Sequence, residues 1–215
     1  MIRVSAKTPN KCMQPDHFTA KPLTKKMITM KKVAVFGNTG AGKSTLSQRL
    51  ADMTGIPWMP LDLLQYQPGG DEVSHAEFKA AHEALLQQDQ WIVDGFGSID
   101  TVWKRLDMAD TLVYLDMPVW RHYWWVTKRF LQGVWVQPAG WPERSPLLKG
   151  TLNSYTTVWL CHTKLTPKYR DYVAEAQLTK QVYHLRSCHE IAQFYKCVSS
   201  LIIHPKQEIK KKRSP

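Results

Sequence analysis

Val33 to Phe36 form an unbroken apolar run that stops at Gly37, and beyond Lys43 the spacing changes: Leu46 and Leu50 stand four apart among the helix formers Gln48, Arg49 and Ala51. A short continuous run closed by glycine predicts a buried strand, and four-residue spacing predicts a helix. Gly55 ends that helix. The segment Ile56-Pro57-Trp58-Met59-Pro60-Leu61-Asp62 predicts a short second strand whose prolines are confined to a sheet edge or to the strand's own ends. Pro68-Gly69-Gly70 reads as a loop. Ser74 and Glu77 have the spacing of a capping box, and Phe78, Ala81, Leu85 and Leu86 follow at helical intervals, with His75 and His82 expected to face solvent.

Two further apolar runs, Trp91 to Val93 and Thr111 to Leu115, predict buried strands, each closed by a carboxylate, Asp94 or Asp116. Trp120 to Phe130 predicts a helix with Arg121, Trp125 and Arg129 on one face and Lys128 adjoining. Residues 132–150 are rich in Gly and Pro without a period, which predicts a lid loop. Gln181 to Leu185 is the last strand. Arg186 and Ser187 open the loop after it, and Ser187 with Glu190 repeats the capping-box spacing before Ile191, Phe194, Tyr195 and Val198. Strands alternating with helices predict an α/β core.

The stretch between the first strand and the first helix reads Gly37-Asn38-Thr39-Gly40-Ala41-Gly42-Lys43-Ser44-Thr45, which is Gly-x-x-x-x-Gly-Lys-Ser. A loop that wraps a triphosphate needs glycines, because their missing Cβ lets successive N–H groups turn inward. The helix start adds unpaired amides and a positive dipole end. Lys43 is therefore expected at the β and γ phosphates of ATP, and the Ser44 hydroxyl on Mg²⁺.

Composition changes this picture little. The 215 residues suffice for one sizeable α/β core and are short for two. The formal charge of +11 sits mostly in the ends: residues 1–30 carry six Lys/Arg against one acid, and residues 204–215 five against one. Both are expected to be solvated arms around a domain at 31–203, with a nucleic-acid role for the tail a minor reading. Within the domain, residues 31–116 hold seven basic and twelve acidic side chains, and residues 117–203 eleven and four. The second half is thus the positive one, as expected where phosphates are closed over. Cys12, Cys161, Cys188 and Cys197 form no Cys-x-x-Cys pair, and no signal peptide or long apolar span precedes or interrupts the domain. The expectation is a cytoplasmic protein with reduced thiols, no membrane span, and a monomeric or weakly dimeric state.

Open α/β sheets bind ligands at the carboxyl ends of their strands. Asp62, Asp94 and Asp116 all fall there. Asp62 can orient an acceptor hydroxyl or amine, and either Asp94 or Asp116 can hold Mg²⁺ through water, with Asp94 favoured because Gly95 beside it leaves a ligand room. Arg121 and Arg129 are candidates for stabilising charge on a transferring phosphoryl group.

The chain resembles the adenylate-kinase-like P-loop proteins, and more closely the bacterial topology modulation, or FlaR-related, family. The matching residues are Met30-Lys31-Lys32 with the glycine loop, Leu61-Asp62, Trp91 to Gly95, Arg105 with Ala109-Asp110-Thr111, Leu115 to Pro118 with Trp120, Lys128-Arg129, and Leu185-Arg186-Ser187. They span about positions 30 to 200. The resemblance implies a P-loop nucleoside-triphosphate-hydrolase fold, with a five-stranded parallel sheet, helices on both faces and a helical lid at about 120–163. It also implies ATP on the glycine loop with Arg186 nearby, and an acceptor near Asp62, Asp94 and Arg105. Gly97 and Ser98 replace the Pro-Arg of the adenylate kinases, and Trp125 replaces a lid arginine. The function expected is transfer of the ATP γ-phosphoryl group to a small acceptor. The alternative is an ATP-binding regulator that touches DNA through its basic arms.

Overall fold

The computed structural model describes residues 30–68, 70–133 and 147–203. Its strands are β1 (Lys32–Gly37), β2 (Trp58–Pro60), β3 (Trp91–Asp94), β4 (Thr111–Leu115) and β5 (Gln181–Leu185), all parallel in the order β2-β3-β1-β4-β5. The three central strands are apolar on both faces because helices cover both faces. β2 is an edge strand, and its prolines also fall at its ends, Pro57 just before it and Pro60 as its last residue.

Alternation along β1 divides the core. Ala34 and Phe36 point into one apolar cluster with Trp91, Val93, Tyr114, Phe78, Leu106 and Tyr169; Val33 and Val35 point into the other with Leu46, Leu50, Ile92, Val113 and Phe194. The first is closed by α3 (His75–Leu86), α4 (Ile99–Met108) and α7 (Thr166–Ala176), and the second by α1 (Lys43–Thr54) and α8 (Cys188–Ile203). A four-residue helix, α2 (Asp62–Gln65), follows β2 directly. The lid comprises α5 (Val119–Gly133) and α6 (Leu147–Leu160), and α6 widens into a π-turn at Cys161–Leu165 before α7.

Several expectations need correction. Residues 132–133 continue α5 and 147–150 begin α6, so the ends of the expected lid loop are helical; its middle, 134–146, lies outside the described residues, as do the expected arms at 1–29 and 204–215. Helix α4 is missing from the expected elements although Ile99, Val102, Trp103 and Leu106 stand at helical spacing, and Ser98 and Thr101 start it by bonding each other's backbone and side chains. The Ser74 capping box forms as expected. At the second one, Glu190 donates its N–H to Ser187 Oγ, but its carboxylate accepts from the N–H of Arg186 instead of Ser187. His75 is exposed, whereas His82 is fully buried, its ring 5.9 Å from that of Phe78. The face of α3 that carries Phe78 and Leu85 turns inward and takes His82 with it. Among the described residues no helix is long and apolar enough to cross a membrane, and Cys161, Cys188 and Cys197 are free thiols.

Burial and the nearby Arg105 and Lys104 charges lower the His82 pKa from 6.5 to about 4. Between those values the unfolded chain takes up a proton that the folded chain refuses. Stability should therefore be full above pH 6.5 and fall as pH drops, by about 3 kcal/mol at pH 4 from this residue. Urea unfolding of His82→Phe across that range should lose this part of the slope.

Candidate functional site

Register decides which residues meet. Pro60 pairs with Asp94, Gly37 with Leu115, and Leu115 with Leu185, so the carboxyl ends of all five strands come out on one edge. That edge gathers the glycine loop, Asp62, Asp94, Asp116 and Arg186.

The chain leaves β1 at Gly37 with φ +143°, where a Cβ would lie 2.4 Å from the carbonyl oxygen of Leu115. Gly40 (φ +71°) is pressed against α5: a Cβ there would lie 2.7 Å from Val126 Cγ2 and 3.0 Å from His122 O. Gly42 is the N-cap of α1 in a left-handed conformation, with no capping side chain and no acid in the first turn. The helix start thus keeps its positive end for an outside anion. Lys43 Nζ donates to Asn38 O at 2.9 Å, closing the loop on itself. Thr39 N–H and Ala41 N–H bond Asn38, to its side-chain oxygen and carbonyl respectively, so two loop amides are held internally. Ser44 and Thr45 follow Lys43 in the first turn of α1.

Sequence reading missed how the lid grips this loop. Asn38 Nδ2 donates to Val158 O in α6 at 3.0 Å, beside the π-turn. His122 is buried on α5 with Nε2–H donating to Met117 O at 3.0 Å, while Nδ1 is buried without a partner. Burial holds its pKa down near 4, so the ring is neutral at pH 7. Cys161 adjoins Thr39 and Lys43, and burial raises its thiol pKa.

On the other side of the edge, Asp94 Oδ1 accepts from Trp58 Nε1 at 2.9 Å, and Oδ2 is buried without a partner. Gly95 (φ +100°) lies against Asp62, with a Cβ there only 3.2 Å from Asp62 Oδ1. Arg105, from α4, is fully buried and donates Nη2–H to Gly95 O at 3.0 Å; its Nε and Nη1 have no partner. Burial pulls its pKa down to about 10, against the opposing pull of Tyr169, Asp94 and Asp62, so it remains charged at pH 7. The three expected acceptor residues therefore surround one glycine turn. Gly97 accounts for the lost proline: at φ +70° its missing Cβ makes room for Phe78 and Thr101.

Asp116, the alternative metal holder, is occupied. Arg170 donates to both its oxygens at 2.8 and 3.0 Å, and His184 Nε2 lies 2.9 Å from Oδ2. Burial alone would raise its pKa; the bonds from His184 and Arg170 outweigh that and hold the carboxyl well below the usual carboxylate range. Neither Arg170 nor His184 belongs to a motif, so no sequence signal marks the pair. Arg121 packs on Trp120 and Trp125 and reaches Cys188 Sγ at 3.0 Å, and Arg186 lies on the His184 ring. Arg129 lies on α5, and its side chain is outside the described residues.

No family model and no curated protein matches the chain. Among solved structures it is similar to a shikimate kinase from Acinetobacter baumannii in complex with shikimate, at a TM-score of 0.51 and 16% identity over 83% of this chain and 96% of that one. A sugar kinase from a Janibacter species gives a TM-score of 0.36 and 16% identity over 59% of this chain and 78% of that one. The strand order, the glycine loop after β1 and the first of these likenesses give the chain the α/β P-loop nucleoside-triphosphate-hydrolase fold.

Removing one partner from a buried ion pair costs more than removing an exposed one, because the remaining charge is stranded. Arg170 is 56% exposed and the Asp116 side chain 5%. Asp116→Ala removes the buried carboxylate itself, whereas Arg170→Ala leaves it buried with His184 as its remaining partner. Arg170→Ala should therefore be destabilising by about 1–3 kcal/mol at pH 7, and the loss should shrink in acid, as measured by thermal unfolding at pH 7 and pH 3.

Proposed function

We propose that this protein is an ATP-dependent kinase of a small acceptor. The observation that carries the reading is the pairing, on one sheet edge, of an uncapped glycine-loop helix with a buried carboxylate and a buried guanidinium that both have unused hydrogen-bonding atoms. Buried polar atoms without partners are costly and rare, and a ligand supplies the missing bonds. The glycine loop and Lys43 would hold the ATP phosphates, with Arg121 and Arg186 at the nucleotide's other end.

Asp94 Oδ2 and the Ser44 hydroxyl fit Mg²⁺, a cation that takes few protein ligands and keeps several waters. Bound there, the ion neutralises charge on the β and γ phosphates. The topology modulation family remains the finer assignment that the glycine loop, Asp94-Gly95 and Arg105 support.

In this reading the acceptor sits over the Gly95 turn. Asp62 orients its hydroxyl and takes the proton as the oxygen attacks the γ phosphorus. The new O–P bond forms as the bond to the β–γ bridging oxygen breaks, and the products are ADP and the phosphorylated acceptor. In-line transfer asks little covalent work of the protein, so positioning and charge suffice. Arg105 offers two N–H donors to an acceptor oxygen.

Release of ADP, measured over a panel of hydroxyl and nucleotide acceptors with ATP and Mg²⁺, tests this. At least one acceptor should raise turnover above the ATP-only rate, and Lys43→Ala should lower it by a factor of about 10²–10³ with unchanged circular dichroism. Retained turnover in Lys43→Ala would remove that residue from its role. Arg105→Met should raise the acceptor KM more than the ATP KM; equal effects on both would exclude Arg105 from the acceptor site.

A further inference from the structure

The lid carries a feature that phosphoryl transfer does not use. Trp120, Trp124 and Leu131 on α5 are 61%, 61% and 62% exposed, although most side chains of this size are buried. At 100° per residue they fall within about 40° of one another, a single stripe along the helix. The opposite side of α5 carries His122 and Val126, both buried against the glycine loop and core. Tyr123 and Thr127 lie on the flank that packs on Tyr155 of α6. The stripe is therefore what remains once both packed sides are accounted for. Helix α6 adds Trp159 and Leu160, at 58% and 53% exposure.

The charge in this part of the sequence is mostly of one sign. From Met117 to Arg170 the sequence holds eight Lys/Arg and a single acid, Glu143. On α5 itself Arg121, Lys128 and Arg129 occur with no acid, and Lys128 is exposed next to the stripe. Large exposed apolar patches mark interaction sites. A second copy of the chain would bring two such cationic faces together, which disfavours self-association through this surface. Exposed tryptophans flanked by cations on a helix suit the interface of an anionic bilayer, where indole rings sit at headgroup depth and Lys/Arg meet lipid phosphates.

We infer that the exposed face of α5, with Trp120, Trp124 and Leu131 as its apolar contacts and Lys128 beside them, docks on an anionic lipid surface. Docking is peripheral, and it is independent of the kinase reading. Because the opposite side of α5 touches Gly40, the docked helix is also the one that backs the glycine loop.

The test is co-sedimentation of the full chain with vesicles of phosphatidylcholine alone and of phosphatidylcholine with phosphatidylglycerol, together with the tryptophan emission maximum. Binding should require the anionic lipid, shift the emission to the blue and weaken with salt. The double variant Trp120→Ser/Trp124→Ser should lose affinity about tenfold or more, and Lys128→Glu, which leaves the apolar stripe intact, should also weaken binding. Unfolding curves establish that each variant is folded. Absence of binding to anionic vesicles at low salt would overturn the proposal. So would binding that both variants leave unchanged, since the basic ends of the chain would then be the attachment. Emission changes with a single-stranded oligonucleotide but not with vesicles would overturn it in favour of a nucleic-acid surface.

Discussion

The approach of Gly37 to the carbonyl of Leu115 is the constraint on which the functional edge rests. Any side chain at that position would collide with backbone, and backbone in the middle of a five-stranded sheet has nowhere to go. With hydrogen in place of Cβ, β1 keeps its full pairing with β4 and still turns at once into the loop. The loop then delivers Lys43 and the start of α1 to the same side as the ends of β2, β3 and β5. A β-branched residue here would force either a shorter strand or a loop displaced from the sheet end, and the spatial relation between Lys43 and Asp94 would change with it.

Charge is handled differently on the two flanks of that edge. Asp116 is fully answered by Arg170 and His184, so its role is complete without a ligand. Arg105 and Asp94 are buried as deeply, yet each keeps unanswered atoms. Desolvating a guanidinium for one hydrogen bond to Gly95 is unfavourable on its own. The difference separates an ion pair that ties α7 to β4 from two buried groups that keep unused hydrogen-bonding atoms.

Much of the framework was legible before any coordinates. The apolar runs at 33–36, 91–93 and 111–115 became strands, because a parallel sheet covered on both sides leaves nothing to interrupt the runs, and the more polar 181–185 became the half-buried edge strand β5. The glycine spacing placed its loop because positive φ and missing Cβ atoms are local properties. Asp62, Asp94 and Arg105 came together as the resemblance implied. What could not be read were contacts between distant segments: Asn38 with Val158, Asp116 with Arg170, Trp58 with Asp94. Periodicity describes one element at a time and is silent on which carboxylate a remote arginine will reach. His82 failed for a related reason, since a polar residue on a helix looks solvent-facing until its neighbour Phe78 fixes the orientation. Helix α4 was missed although Ile99, Val102, Trp103 and Leu106 stand at helical spacing after the capping residue Ser98.

The bond from Asn38 to the Val158 carbonyl, made where α6 loosens into its π-turn, has a kinetic consequence. The carbonyl of Val158, three residues before that turn, thereby ties α6 to the glycine loop. Loop conformation and helix position thus share a single equilibrium: whatever reshapes residues 37–42 also releases or tightens the returning arm. Reciprocity then requires that any force on that arm be felt as a change in affinity at the loop.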